Sequence, residues 1–143
     1  QAYSDEEVLA GIGEMASTIE IVSSRFAAWP KVEPVTQLAD LLNHVALVVG
    51  ELVPYDEHFP FARPTLEFTL DGASIVPSVA ANPAGGPRRL LPWLVNHHTQ
   101  NGQALPQGLV ITTGSFTGMF LAEGPGQVQG QIQGLPPVSL SLI

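Results

Sequence analysis

The run Ser17-Thr18-Ile19-Glu20-Ile21-Val22-Ser23-Ser24-Arg25 decides how the rest of the chain is read. Its β-branched, apolar residues predict a short strand with a carboxylate in the middle and a guanidinium at the end. In a regular strand Thr18, Glu20, Val22 and Ser24 share one face, while Ile19, Ile21, Ser23 and Arg25 share the other. Glu20 and Arg25 then point apart. Burying an ionised carboxylate is costly unless a cation or hydrogen bonds compensate it. Glu20 therefore faces either a partner (a metal ion, an arginine or backbone donors) or solvent beside an edge strand.

Around this strand the composition is that of one domain. The chain has 143 residues, of which 45% are hydrophobic and only 13% charged, with 14 glycines and 13 prolines. Turns and strands should outweigh long helices, and so few charges suggest that a partner subunit or further segment covers part of the surface. The net charge is −8, which argues against nucleic acid or an anionic membrane surface as partner. Without cysteine there is no disulfide framework, thiolate nucleophile or cysteine-bound zinc. No apolar run approaches a membrane span, and the first residues lack a signal-peptide pattern, so a cytoplasmic location is expected.

Upstream of the strand, Ser4 and Glu7 have capping-box spacing, and Val8, Leu9, Ile12 and Met15 continue a helix to about Ala16. Downstream, Phe26 to Val35 reads as a loop and Thr36 as the cap of a short helix through Asn43. Val45 to Gly50 predicts a strand buried on both faces. After a proline-rich loop over 54–64, Thr65–Leu70, Asp71-Gly72 and Ala73–Val76 form a hairpin signal. A helix is expected over Arg88–Gln100, with Gly102 as its stop. Leu109–Thr113 predicts a buried strand that ends in Gly114-Ser115. Val128, Gly130 and Ile132 alternate with glutamines in the next strand, and Val138, Leu140 and Leu142 mark the last. The order gives an α+β protein with much of its sheet antiparallel or mixed.

Familiar catalytic patterns are missing. Gly11-Ile12-Gly13 follows no strand, there is no nucleophile elbow or phosphate loop, and His97 and His98 are adjacent on a helix and cannot face one ion together. What remains is Glu20, Arg25 and the Thr113-Gly114-Ser115 turn, whose backbone donors and hydroxyls suit a carboxylate or enolate oxygen. The bland alternative is an ordinary polar turn.

Several stretches together carry a family resemblance. Ile19-Glu20-Ile21-Val22-Ser23-Ser24-Arg25 resembles the E-I-V-D-S-R signature of the 2-keto-4-pentenoate hydratases, within the fumarylacetoacetate hydrolase superfamily. Leu38-Ala39-Asp40 is similar to that family's I-A-D-N stretch. Pro92-Trp93-Leu94-Val95-Asn96 with Gly102 resembles its A-W-L-A-N helix. Leu109 to Thr117 resembles its V-V-L-T-G-S-L-T turn, and Gly134-Leu135 to Val138-Ser139-Leu140 its last strands.

The resemblance implies a mixed β-roll of the fumarylacetoacetate hydrolase type, strand-rich with two or three short helices. Residues 1–143 would be the C-terminal part of a single catalytic domain. It also implies a divalent metal, Mg2+ or Mn2+, held by an upstream E-x-E pair and by the glutamate that maps to Glu20. A small 2-oxo acid would bind that metal, which stabilises an enolate as water adds across the distal double bond. Thr113 and Ser115 match the turn expected to contact substrate, and Arg25 completes the candidate binding set.

The departures also carry expectations. Ser23 stands where the family has aspartate, and Leu41 where it has asparagine. The E-x-E pair and the general acid/base residues should precede Gln1, so this chain alone is expected to be inactive. The implied activity is a hydratase of aromatic-compound degradation, working as a homo-oligomer or paired with a missing N-terminal segment. The alternatives are a metal-dependent 2-oxo acid decarboxylase on the same scaffold, or a non-catalytic β-rich assembly domain.

Overall fold

Ser4 and Glu7 open the first helix as their spacing demands. In the computed structural model, which describes residues 2–76 and 79–143, the Ser4 hydroxyl accepts from the Glu7 amide at 3.2 Å. The Glu7 carboxylate in turn accepts from the Ser4 amide at 2.8 Å. Helix α1 spans Asp5–Ala10 and is capped by Gly11, short of the expected end at Ala16. Gly11 and Gly13 account for the early stop, since each glycine costs a helix about 1 kcal/mol relative to alanine. The chain instead forms a two-residue strand, β1 (Glu14–Met15).

Strand β2 (Thr18–Val22) follows as predicted. Helix α2 (Pro34–Ala39) starts before Thr36, with Glu33 as its N-cap and Pro34 in the first turn, where a missing N–H costs nothing. It also ends earlier than expected, at Ala39. Strand β3 (His44–Val49) pairs antiparallel with β2, and β4 (Val53–Pro54) pairs with β1. The expectation that β3 is buried on both faces is corrected: Val48 packs on the core while Val45 and Val49 are exposed.

Strands β5 (Leu66–Leu70) and β6 (Ala73–Ser74) form the hairpin signalled by Asp71-Gly72. Both turn residues have positive φ, 49° and 79°, as a right-handed-twisted two-residue hairpin requires. A 3-10 turn over Pro87–Arg89 leads into α3 (Leu90–Gln100). Strands β7 (Gly126–Ile132) and β8 (Val138–Leu142) complete a four-stranded antiparallel sheet in the order β6-β5-β7-β8. Along β7 the glutamines face outward while Val128 and Gly130 are buried, so that alternation is a strand pattern.

Leu109–Thr113 is not a buried strand, which corrects the sequence expectation. The segment has no ladder partner among the described residues, and Leu109 and Val110 are 45% and 49% exposed. A β-branched run becomes a strand only where the tertiary context pairs it, and this segment pairs with none of the described strands.

The core joins the β2–β3 ribbon to the large sheet. Ile19, Val128 and Val138 are buried together, with Val48, Phe68, Leu70, Leu140 and Leu142 packed around them. Gly50 allows the close approach: a Cβ there would lie 2.9 Å from the Ser17 carbonyl and 3.2 Å from the Val138 side chain. This core is small for the length of the chain. Val35, Leu38, Leu41 and Leu42 are each more than 60% exposed. Among the described residues no helix is long and apolar enough to cross a membrane.

Candidate functional site

Strand β2 presents Thr18, Glu20 and Val22 outward and turns Ile19 inward, so Glu20 lies on the solvent face of the ribbon. Opposite it the ladder is irregular. Glu20 pairs with Leu47 and Ile21 with Ala46, but Val22 pairs with His44, which skips Val45. The bulge matters because residues directly opposite share a face. In a regular ladder His44 would lie on the face opposite Glu20. The skipped residue turns it onto the same face, where Nδ1–H donates to Glu20 Oε1 at 2.8 Å. Both side chains stay accessible, at 41% for His44 and 47% for Glu20. Strand alternation alone could not have paired them.

Beyond β2 the chain is fastened by a carboxylate that the sequence reading did not single out as a site residue. Asp40 is buried, and its side chain accepts from the Ser24 hydroxyl at 2.8 Å and from the Arg25 amide at 3.0 Å. The Arg25 guanidinium adds bonds to Asp40 Oδ1 at 3.0 Å and to the Asp40 carbonyl at 3.1 Å. It also donates to the His44 carbonyl at 2.9 Å. Burial alone would push the Asp40 carboxyl upward. The Arg25 amide, the Ser24 hydroxyl and the guanidinium together outweigh it and hold the carboxyl below its usual range. Arg25, expected at the substrate, thus spends its hydrogen bonds on tying the end of β2 to the end of α2. The signal available in the sequence was the pairing of a strand-end arginine with a helix-end aspartate.

Between Asp40 and β3 lies an unusual turn. Leu41, Leu42 and Asn43 all have left-handed φ, at 54°, 53° and 68°. For residues other than glycine this conformation costs about 1–2 kcal/mol each, and asparagine tolerates it best. The leucine side chains gain little packing in return, being 65% and 62% exposed. Leu42→Gly is therefore expected to raise stability by about 0.5 kcal/mol, the relief of strain less the entropy a glycine adds to the unfolded chain. A urea denaturation midpoint measures it.

The Thr113-Gly114-Ser115 turn is built on a different anchor. Buried Asn82 donates from Nδ2 to the Thr113 carbonyl at 2.9 Å and accepts from the Ala84 amide at 2.9 Å. Gly114 adopts a φ of 89° there. Ser115 is exposed; its Oγ accepts from the Thr117 amide at 3.1 Å and donates to the Gly118 carbonyl at 3.2 Å. From this turn the chain runs on to Met119 and Leu121, which return to the end of β2.

There they close one side of an open cavity of about 250 Å3. Val22, Ser23, Ser24, Phe26, Trp29 and Asn43 form the rest of its lining. The cavity thus begins at the strand residue two places beyond Glu20 and on the same face. None of the expected site residues lines the cavity: Glu20 precedes Val22 by two residues on the same strand, Arg25 follows Ser24, and Ser115 lies four residues before Met119. Among the described residues, no three of His, Cys, Asp and Glu lie close enough to hold a metal ion together.

No protein-family model matches the sequence, and no curated protein matches it by sequence. Among solved structures the chain is similar to 4-oxalocrotonate decarboxylase from Pseudomonas putida G7, complexed with magnesium and adipate. The likeness has a TM-score of 0.77 at 22% sequence identity, and covers 94% of this chain but 51% of that one. The chain therefore spans about half the length of the solved protein it matches. The four-stranded sheet, the β2–β3 ribbon and the three short helices have the fold of a fumarylacetoacetate-hydrolase-type domain, strand-rich and mixed α+β.

Proposed function

We propose that this chain contributes one metal ligand and the substrate-facing cavity to a divalent-metal-dependent lyase acting on 2-oxo acids. The observation that carries the reading is Glu20: a half-exposed carboxylate in the middle of an apolar strand, held by His44 two residues before Val22, which lines an open cavity. The resemblance of residues 19–25 to a hydratase signature and the magnesium of the solved neighbour support the same reading.

The residues present do not make a complete site. Mg2+ or Mn2+ takes about six ligands, mostly oxygen, and this chain offers one carboxylate, with a histidine already hydrogen-bonded to it. The remaining ligands and the general acid/base groups would come from outside these residues. What the chain itself does is positional. His44 fixes the Glu20 carboxylate, the Asp40–Arg25 clamp holds the loop after β2, and Asn82 sets the Thr113–Ser115 turn, whose hydroxyls we assign to the substrate.

Hydration of a 2-hydroxy-2,4-dienoate is the first reading, on the strength of the quoted motifs. Decarboxylation is the second, favoured by the identity of the solved neighbour. Product analysis separates them. With the complete protein, 2-hydroxypenta-2,4-dienoate and Mg2+, the expected result is a hydrated 2-oxo acid without release of carbon dioxide. Activity should vanish with chelator and return with Mg2+. Metal-independent turnover would remove the reading altogether.

A further inference from the structure

The four-stranded sheet ends in two very different edges. Strand β6, on one side, is only two residues long, and so short an edge offers little to pair with. Strand β8, on the other, runs for five residues without a charge, a proline or a bulge. The smaller sheets guard their edges: β2 carries Glu20, β3 has the bulge at Val45, and β4 contains Pro54. Charges, prolines and bulges of this kind keep sheets from joining edge to edge. Among the described edge strands of more than two residues, β8 lacks all of them.

We propose that the free edge of β8 is a docking surface for a second copy of this chain, paired antiparallel about Leu140 so that two four-stranded sheets become one. The surface is independent of the lyase reading. Backbone directions place the required groups on that edge. The Asp71 amide donates to the Gln127 carbonyl at 2.9 Å, and the Gln133 amide donates to the Thr65 carbonyl at 2.8 Å. Both glutamines thus turn their backbone groups toward the β5 side of β7. Along a regular strand this direction alternates, so Val128 and Gly130 bond to their β8 partners, Leu140 and Val138. Ser139 and Ser141 are then left with N–H and C=O groups aimed away from β7, and no described strand takes them up. The β2–β3 ribbon meets β8 through apolar side chains and forms no ladder with it.

The strand is also complementary to itself, which selects a second copy as the occupant. With Leu140 on the two-fold axis, Leu140 faces Leu140, Val138 faces Leu142, and Ser139 faces Ser141 of the second copy. Directly opposite residues share a face. The apolar side of each β8 therefore continues the core that Val138 already joins, and the exposed serines meet on the outer side. The pair presents one patch to itself, as a closed dimer requires. A slip of one residue would set serine against leucine. Charge raises no barrier at this contact: the chain carries −8 overall, yet residues 124–143 contain no Asp, Glu, Lys, Arg or His.

The test uses the complete protein. Sedimentation over a concentration series is expected to show a wild-type dimer. Ser139→Pro removes an outward N–H while sparing the bonds to β7, and should weaken the dimer at least about tenfold. Ser139→Lys adds the charge that edges commonly carry and should act in the same direction, so the outcome does not depend on the proline variant folding. The register has its own readout, because the chain has no cysteine. Ser139 and Ser141 of the second copy form a hydrogen-bonded pair with Cα atoms about 5.5 Å apart, within disulfide range, whereas like serines lie about 7–8 Å apart. A mixture of Ser139→Cys with 15N-labelled Ser141→Cys should therefore form mixed disulfide dimers at least about tenfold faster than either variant alone cross-links. A wild-type protein that stays monomeric, its edge covered by another segment or left bare, overturns the proposal. So does a dimer indifferent to both Ser139 substitutions, or cross-linking as fast in a single variant as in the mixture.

Discussion

Replacing Glu20 with glutamine in the complete protein is expected to lower metal-dependent turnover by about 100-fold or more, with little change in thermal stability. Glutamine keeps the shape of the side chain, and its amide oxygen can still accept from His44 Nδ1 at the 2.8 Å position. What it loses is the negative charge that a hard cation requires. The site is half-exposed, so the substitution should cost within about 0.5 kcal/mol of stability, as exposed positions usually do. This combination distinguishes a ligand from a structural residue. A structural glutamate would lose stability and activity together, and an idle surface glutamate would lose neither. Steady-state rates across a Mg2+ titration, beside a melting curve, give both readouts.

The second large effect lies at Asp40. Asp40→Asn is expected to lower the melting temperature by on the order of 10 °C, because it leaves Arg25 without its counter-charge and breaks the tie between β2 and α2. The pH dependence follows from the direction of the shift. The folded-state carboxyl lies below its ordinary value of 3.8, so its ionised form is the one the fold stabilises. That contribution is fully present above 3.8 and is lost as pH falls through the lower, folded-state value. The stability gap between wild type and Asp40→Asn should therefore stay constant from neutral pH down to about pH 5 and close in stronger acid. Denaturant midpoints across that range measure it. A gap that widens in acid would mean that the clamp is not ionic.

The strands that pair locally or carry strict alternation were legible from residues alone. Asp71-Gly72 set the hairpin register, the glutamine alternation set β7, and the Ser4–Glu7 spacing set the start of α1. Failures came where a tertiary neighbour decides the outcome. Leu109–Thr113 has strand-forming residues but pairs with no described strand, and Val45–Gly50 reads as fully buried although Val45 and Val49 are exposed. The site divides in the same way. Glu20 stood out because a carboxylate interrupts an apolar strand. The Glu20–His44 pair depends on a one-residue bulge, and the Asp40–Arg25 clamp on contacts 15 residues apart, neither of which periodicity encodes.

The most direct test of the central claim places a paramagnetic ion at the site. In the complete protein titrated with Mn2+, backbone amide signals of Ile19 to Val22 and of His44 should broaden first and at substoichiometric metal. The same titration of Glu20→Gln should leave them sharp. Broadening centred elsewhere, or unchanged by Glu20→Gln, would contradict the assignment of Glu20 as a metal ligand.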